Sequence, residues 1–96
     1  MAAYLVACYD ITDEAGYAPY PAAVAPTLLP FEGELIAADF DSETMEGDAR
    51  RVTVIVKFPS KAIAREWHAS PAYRAVAPLR TDHTESSVVI VDGVSG

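Results

Sequence analysis

This chain of 96 residues has one cysteine, five glycines and seven lysines and arginines. Each scarcity excludes something. Cys8 alone cannot close an internal disulfide, and inside the run AYLVACYDI it reads as a small buried hydrophobe. That usage suits a reducing cytoplasm, the expected location. Fourteen acidic residues outnumber the basic ones, for a formal net charge of −7, and only Arg50 and Arg51 are adjacent basic residues. Nucleic acid and anionic membrane both require clustered positive charge, so neither is an expected partner. No apolar run approaches the ~20 residues that span a bilayer. The start MAAYLVACYD lacks the basic segment of a secretory leader, so none is expected.

The common chemical motifs are also missing. There is no GxGxxG, P-loop, GxSxG or HExxH. His68 and His83 lack ligand spacing and a companion Cys or carboxylate motif, which argues against zinc. The acids Asp39, Asp41, Glu43, Glu46 and Asp48 invite a calcium loop and fail its template. Counted from Asp39, the positions that need Gly and Glu hold Thr44 and Arg50. No metal or cofactor is expected.

What is present is a clear order of elements. Residues 3–11 alternate as a strand, with Leu5, Ala7, Tyr9 and Ile11 on one face and Tyr4, Val6, Cys8 and Asp10 on the other. Thr12 or Asp13 can cap a helix over about 14–29. Four prolines (Pro19, Pro21, Pro26 and Pro30) predict that it is kinked or in two pieces. Strands follow over 34–40 and 51–58, pairing as an antiparallel hairpin. Ser60 caps a helix in KAIAREWHA, where Ile63 and Trp67 share a buried face. Ser70-Pro71 starts a second helical piece that Pro78 bends or shortens. The last strand is SVVIVD, 87–92.

Strand, helix, strand, strand, helix, strand is the ferredoxin-like βαββαβ arrangement, an α+β fold in one domain over 1–96. Right-handed crossovers put both helical layers on one sheet face. The first and last strands are apolar on both faces. A monomer rarely leaves a contiguous apolar patch in water, so a homodimer that packs sheet against sheet is expected.

The candidate site residues each have two readings. Trp67 is a core tryptophan at the helix–sheet contact, or a pocket wall with its indole N–H toward a ligand. Tyr73, Ala77 and Arg80 fall on one stripe. The phenol and guanidinium at its ends either reach the surface or pair with a carboxylate, or else they position an anion. His68 points about 100° away from Trp67, at the helix edge, and is a weaker candidate for moving protons. His83 lies in the polar stretch TDHTES and is expected to be solvated. Glu46 belongs to a polar hairpin and could turn inward.

ITD near the start, Gly33, MEGD at 45–48, FPS at 58–60, EWHASPAY at 66–73 with Arg80, and the closing VVIVDG form a pattern over nearly the whole chain. It resembles the domain-of-unknown-function 1330 family. The resemblance implies a ferredoxin-like dimeric α+β barrel, with pockets between helices and sheet. The wider superfamily includes cofactor-free monooxygenases, isomerases and small stress-related proteins, and the family itself carries no general activity. Matched positions are Tyr20, Gly33, Glu46, Gly47, Trp67, Ser70, Pro71, Tyr73 and Arg80. The chain departs from the family at Glu32, where Gly is frequent, and at His68, where Tyr is frequent. The combined expectation is a site for a small organic acid or phenol lined by Tyr20, Trp67 and Tyr73, with Arg80 and Glu46 as its charged pair. Tyr73 or His68 would move a proton if the site is catalytic. The alternative is a non-catalytic dimeric sensor or structural module with a buried Glu46–Arg80 ion pair.

Overall fold

Alternation along residues 3–11 builds the first strand of the sheet. In the computed structural model, which describes residues 1–94, β1 (Ala3–Ile11) buries Ala3, Leu5, Ala7 and Tyr9 on one face. Tyr4, Val6, Cys8 and Asp10 on the other face are half-buried. β1 pairs antiparallel with β3 (Val52–Phe58) on one side and β4 (Thr84–Asp92) on the other, and β2 (Glu34–Asp39) pairs antiparallel with β3. The sheet order is β2-β3-β1-β4, and the fold is ferredoxin-like α+β.

Prolines divide the first crossover more finely than into two pieces. α1 (Glu14–Tyr17) is capped by Asp13, whose Oδ1 accepts from Gly16 N at 3.2 Å. α2 (Tyr20–Val24) has Pro19 at its cap and Pro21 in its first turn. A 3₁₀ segment (Ala25–Phe31) then carries Pro26 and Pro30. A proline has no N–H to donate to the preceding turn, so each one ends a stretch of regular bonding and only short helical pieces survive. The segment stops at Glu32, which is left-handed at φ 55°. Gly33 follows where space is tight. A Cβ there would stand 2.9 Å from Leu28 Cδ2 and 3.0 Å from Phe58 Cε1.

The second crossover follows its cap signals. α3 (Lys61–Ala69) starts at Ser60, whose hydroxyl accepts from Ile63 N at 3.2 Å. Ser70 joins two helices: its Oγ donates to Trp67 O at 2.7 Å and accepts from Tyr73 N at 3.3 Å. α4 (Pro71–Val76) and α5 (Pro78–Thr81) are separated where Pro78 interrupts the bonding.

Three local expectations need correction. β4 begins at Thr84, not Ser87, because Thr84–Ser86 join the backbone ladder opposite Ile11–Tyr9 without presenting apolar side chains. β2 ends at Asp39, and Phe40 turns toward Tyr17 with ring centroids 6.4 Å apart. His83 is only partly solvated. Its Nδ1 bonds Leu79 O at 2.9 Å, its carbonyl accepts from Thr12 N at 2.8 Å, and its ring fills the space beside Gly16.

Both helical layers cover the same sheet face, where Tyr9, Val52 and Phe58 are fully buried. No element of the described chain covers the opposite face. There Tyr4, Val6, Cys8 and Ile55 adjoin Val89 and Val91, which are 53% and 42% exposed. Among the described residues no helix is long and apolar enough to cross a membrane.

Candidate functional site

Small residues on β1 leave room under the helices. Ala7 lies between Leu5 and Tyr9 on the inner face, and a cavity of about 230 Å³ opens above it. Its floor is the sheet, with Leu5 and Ala7 of β1, Val54 and Val56 of β3 and Val88 of β4. Its roof is helical, with Tyr17, Tyr20 and Val24 from the first crossover and Trp67, Tyr73 and Arg80 from the second. The mouth lies beside β2, where Leu35 and Phe40 are about half exposed.

Four of the residues singled out from sequence lie at the cavity. Trp67, Tyr73 and Tyr20 line it, each buried. Trp67 packs against Tyr73 with centroids 4.1 Å apart and against Phe58 at 5.5 Å. Both readings of Trp67 hold in part: it walls the cavity, but its Nε1 donates to Thr27 Oγ1 at 3.0 Å and is thereby committed to the protein. Arg80, 5% exposed, also lines the cavity. Its Nη2 donates to Tyr73 Oη at 3.2 Å, its Nη1 donates to Ser86 Oγ, and its guanidinium sits 6.0 Å from the Tyr20 ring centroid.

Two expected residues fall elsewhere. Glu46 is exposed on the connection between β2 and β3 and makes no ion pair with Arg80. The connection is instead held at its far end, where Arg50 bonds Asp10 at 3.0 Å and Glu85 at 3.1 Å, and Arg51 N bonds Asp10 Oδ1 at 2.9 Å. That anchor fixes residues 50 and 51 over the outer sheet face, so Glu46 has no route under the helices. His68 is on the exposed side of α3 and does not line the cavity. Its ring lies 5.3 Å from that of Tyr73, and burial followed by the charges of Arg74 and Arg80 pushes its pKa down, leaving a neutral imidazole at neutral pH.

A pair of phenols missing from the sequence-based site completes the cavity. Tyr9 Oη and Tyr17 Oη are 2.6 Å apart, both residues are buried, and both line the cavity. Burial pushes the Tyr9 phenol up, and the bond to Tyr17 pushes it further. Burial also raises Tyr17 and Tyr20, and the positive charge of Arg80 only partly offsets this. All three therefore stay protonated at neutral pH. The available signal was Tyr9 itself, a phenol placed on the buried face by strand alternation and therefore in need of a partner.

Arg80 has no carboxylate partner among the described residues. A guanidinium stays charged in proteins. Its neighbours here are phenols, one serine hydroxyl and hydrocarbon. Such a cavity can hold an apolar body and accept one negative group. Among the described residues no three His, Cys, Asp or Glu side chains gather into a metal-binding set.

The family model described as "Domain of unknown function (DUF1330)" matches residues 2–94. No curated protein matches the chain. Solved structures share its fold at low identity. The RPA0582 protein of unknown function from Rhodopseudomonas palustris is 15% identical, with a TM-score of 0.77 over 99% of this chain and 84% of that one. SnoaB, a cofactor-independent oxygenase from Streptomyces nogalater, is 12% identical, with a TM-score of 0.71 over 99% of this chain and 95% of that one. A dimeric protein of unknown function with a ferredoxin-like fold from Bacteroides fragilis is 8% identical, with a TM-score of 0.66 over 96% of each chain.

Proposed function

Because the chain belongs to the DUF1330 family, a domain of unknown function, its role is read from its own cavity, and we propose that this cavity binds a small organic acid or phenol. The observation that carries the reading is Arg80: a buried guanidinium on the wall of an apolar cavity, with no carboxylate to balance it. Burying an unpaired charge is expensive. An anionic ligand head would supply the partner, and the guanidinium has more N–H groups than its bonds to Tyr73 and Ser86 use. An apolar cavity of about 150 Å³ takes benzene. A volume of about 230 Å³ suits one substituted ring or an aliphatic acid of similar bulk.

The reading extends to cofactor-independent chemistry, proton transfer or oxidation of the bound acid or phenol. SnoaB, of the same fold, is named a cofactor-independent oxygenase, and a role for Tyr73 in moving a proton is supported by its place in the cavity lining and by its bond from Arg80. His68 lacks access to the cavity and is not given this role. A role as a structural module fastened by a Glu46–Arg80 pair is not supported, since Glu46 is exposed and apart from Arg80.

Calorimetric titration with benzoate, and melting with and without it, test the proposal on wild type and Arg80→Met. Benzoate should bind wild type and raise its melting temperature. Arg80→Met should lose at least tenfold in affinity while melting at or above the wild-type temperature without ligand, because an apolar side chain replaces a buried cation. A strongly destabilised Arg80→Met beside a wild type that ignores benzoate would make the guanidinium a structural strut and end the reading.

The bare sheet face supports a homodimer. Tyr4, Val6, Cys8, Ile55, Val89 and Val91 form an apolar patch that a second copy would cover, and the Bacteroides fragilis protein of this fold is named dimeric. Light scattering should report twice the chain mass for wild type and one chain mass for Val89→Asp. A wild type that stays a folded monomer at high concentration would overturn this.

A further inference from the structure

The cavity has two polar ends, and only one of them is Arg80. Tyr9 and Tyr17 meet hydroxyl to hydroxyl at 2.6 Å, and neither has another hydrogen-bond partner among the described residues. Two phenols carry two protons, and their mutual bond uses one. The second proton and the remaining lone pairs are uncommitted, in residues 2% and 5% exposed. Solvent reaches them only by way of the cavity. The cavity that both rings line is the place where a partner can approach.

The distance between the two ends is set by strand pairing. Tyr9 of β1 stands directly opposite Ser86 of β4, and Ser86 receives the Arg80 guanidinium. Cross-strand neighbours hold their Cβ atoms about 4.5–5.5 Å apart. The serine hydroxyl stays near the sheet, so Arg80 is anchored close to the base of the Tyr9 ring. The Tyr9 hydroxyl lies one phenol length further along. Both anchors thus lie near the Tyr9–Ser86 position of the sheet, close enough together for one small molecule to meet both.

We infer that the Tyr9–Tyr17 pair is a second anchor in this cavity, and that the ligand is a single-ring hydroxy acid whose carboxylate meets Arg80 and whose hydroxyl completes the phenol pair. A hydroxyl suits the pair better than a pure donor or a pure acceptor, since it can take the spare proton or give one to a spare lone pair. The assignment rests on the reading of Arg80 as an anion site and specifies what lies at the other end of the molecule. Burial keeps both phenols protonated, so the pair presents a neutral donor and does not repel an anionic ligand.

The test is calorimetric titration of the full chain with benzoate, meta-hydroxybenzoate and para-hydroxybenzoate, using wild type, Tyr17→Phe and Tyr9→Phe. One added hydrogen bond predicts that the better hydroxybenzoate binds wild type about three- to tenfold more tightly than benzoate. Tyr17→Phe should erase this preference, so that the variant binds benzoate and the hydroxybenzoates alike. Tyr9→Phe should do the same, and it carries the test if Tyr17→Phe folds poorly. Equal wild-type affinity for benzoate and both hydroxybenzoates would overturn the second anchor alone, as would a preference that survives both variants. Failure of wild type to bind any of the three acids would overturn the Arg80 reading as well.

Discussion

The Trp67 indole N–H donates to the Thr27 hydroxyl at 3.0 Å, and the same hydroxyl donates to Val24 O at 2.6 Å. One buried threonine thus ties the second helical layer to the proline-rich first one. Residues 25–31 have only 3₁₀ bonding of their own, so their position depends on this tie and on the packing of Leu28. Thr27→Val keeps the shape and strands the indole N–H. Leaving a buried donor unmet costs about 1–3 kcal/mol. Urea unfolding followed by Trp67 fluorescence should show that loss, whereas Thr27→Ser should stay close to wild type.

Acid should loosen the molecule partly through Asp10. Its carboxylate accepts from Arg51 N and from Arg50, and these bonds, the backbone one foremost, hold its pKa below the ordinary value of 3.8. A depressed carboxylate pKa means the folded state releases the proton more readily than the unfolded chain does. The stabilisation is therefore present above the unfolded value and is lost as pH falls through the folded one. Asp10→Asn should flatten the acid limb of a plot of urea midpoint against pH below about pH 4.5. It should also free residues 50 and 51, seen as faster amide exchange at Arg51.

Alkali should act through the buried phenols. Tyr9, Tyr17 and Tyr20 have folded pKa values above the ordinary 10.0, foremost from burial. The folded state then holds its phenol protons after the unfolded chain has begun to lose them. Stability is full below the unfolded value and declines as pH rises beyond it. Absorbance at the phenolate band should show these tyrosines ionising together with unfolding, not before it. Tyr9→Phe should make the alkaline decline shallower.

Much of this was legible from local chemistry. Alternation places Leu5, Ala7 and Tyr9 on the inner face of β1, and the structure buries them there. Ser60 and Ser70 mark helix starts because a hydroxyl before an apolar run has an N–H to accept, and both do so. Tyr73 and Arg80, two turns apart on one stripe, reach the same cavity. The rest depended on distance along the chain. Tyr9 needs a partner, but nothing near it says that the partner is Tyr17, brought in by a helix of one turn that ends just before Pro19. Glu46 carries no periodicity that could show which way it faces, and the anchor at Arg50 and Arg51 decides that. His83 looks solvated in TDHTES because its neighbours are polar, yet the glycine that admits its ring lies far away at residue 16.

The edge position of β2 has a consequence for traffic into the cavity. This strand is bonded on one side only, all of its residues are exposed, and its register slips between Leu35 and Ala37. Segments with few buried contacts open at lower free energy than the core. Leu35 and Phe40, which frame the mouth, belong to that strand and to the residue just after it. The least costly excursion of the sheet therefore widens the entrance, while β1, carrying the Tyr9 hydroxyl and locked between two neighbours, stays in place.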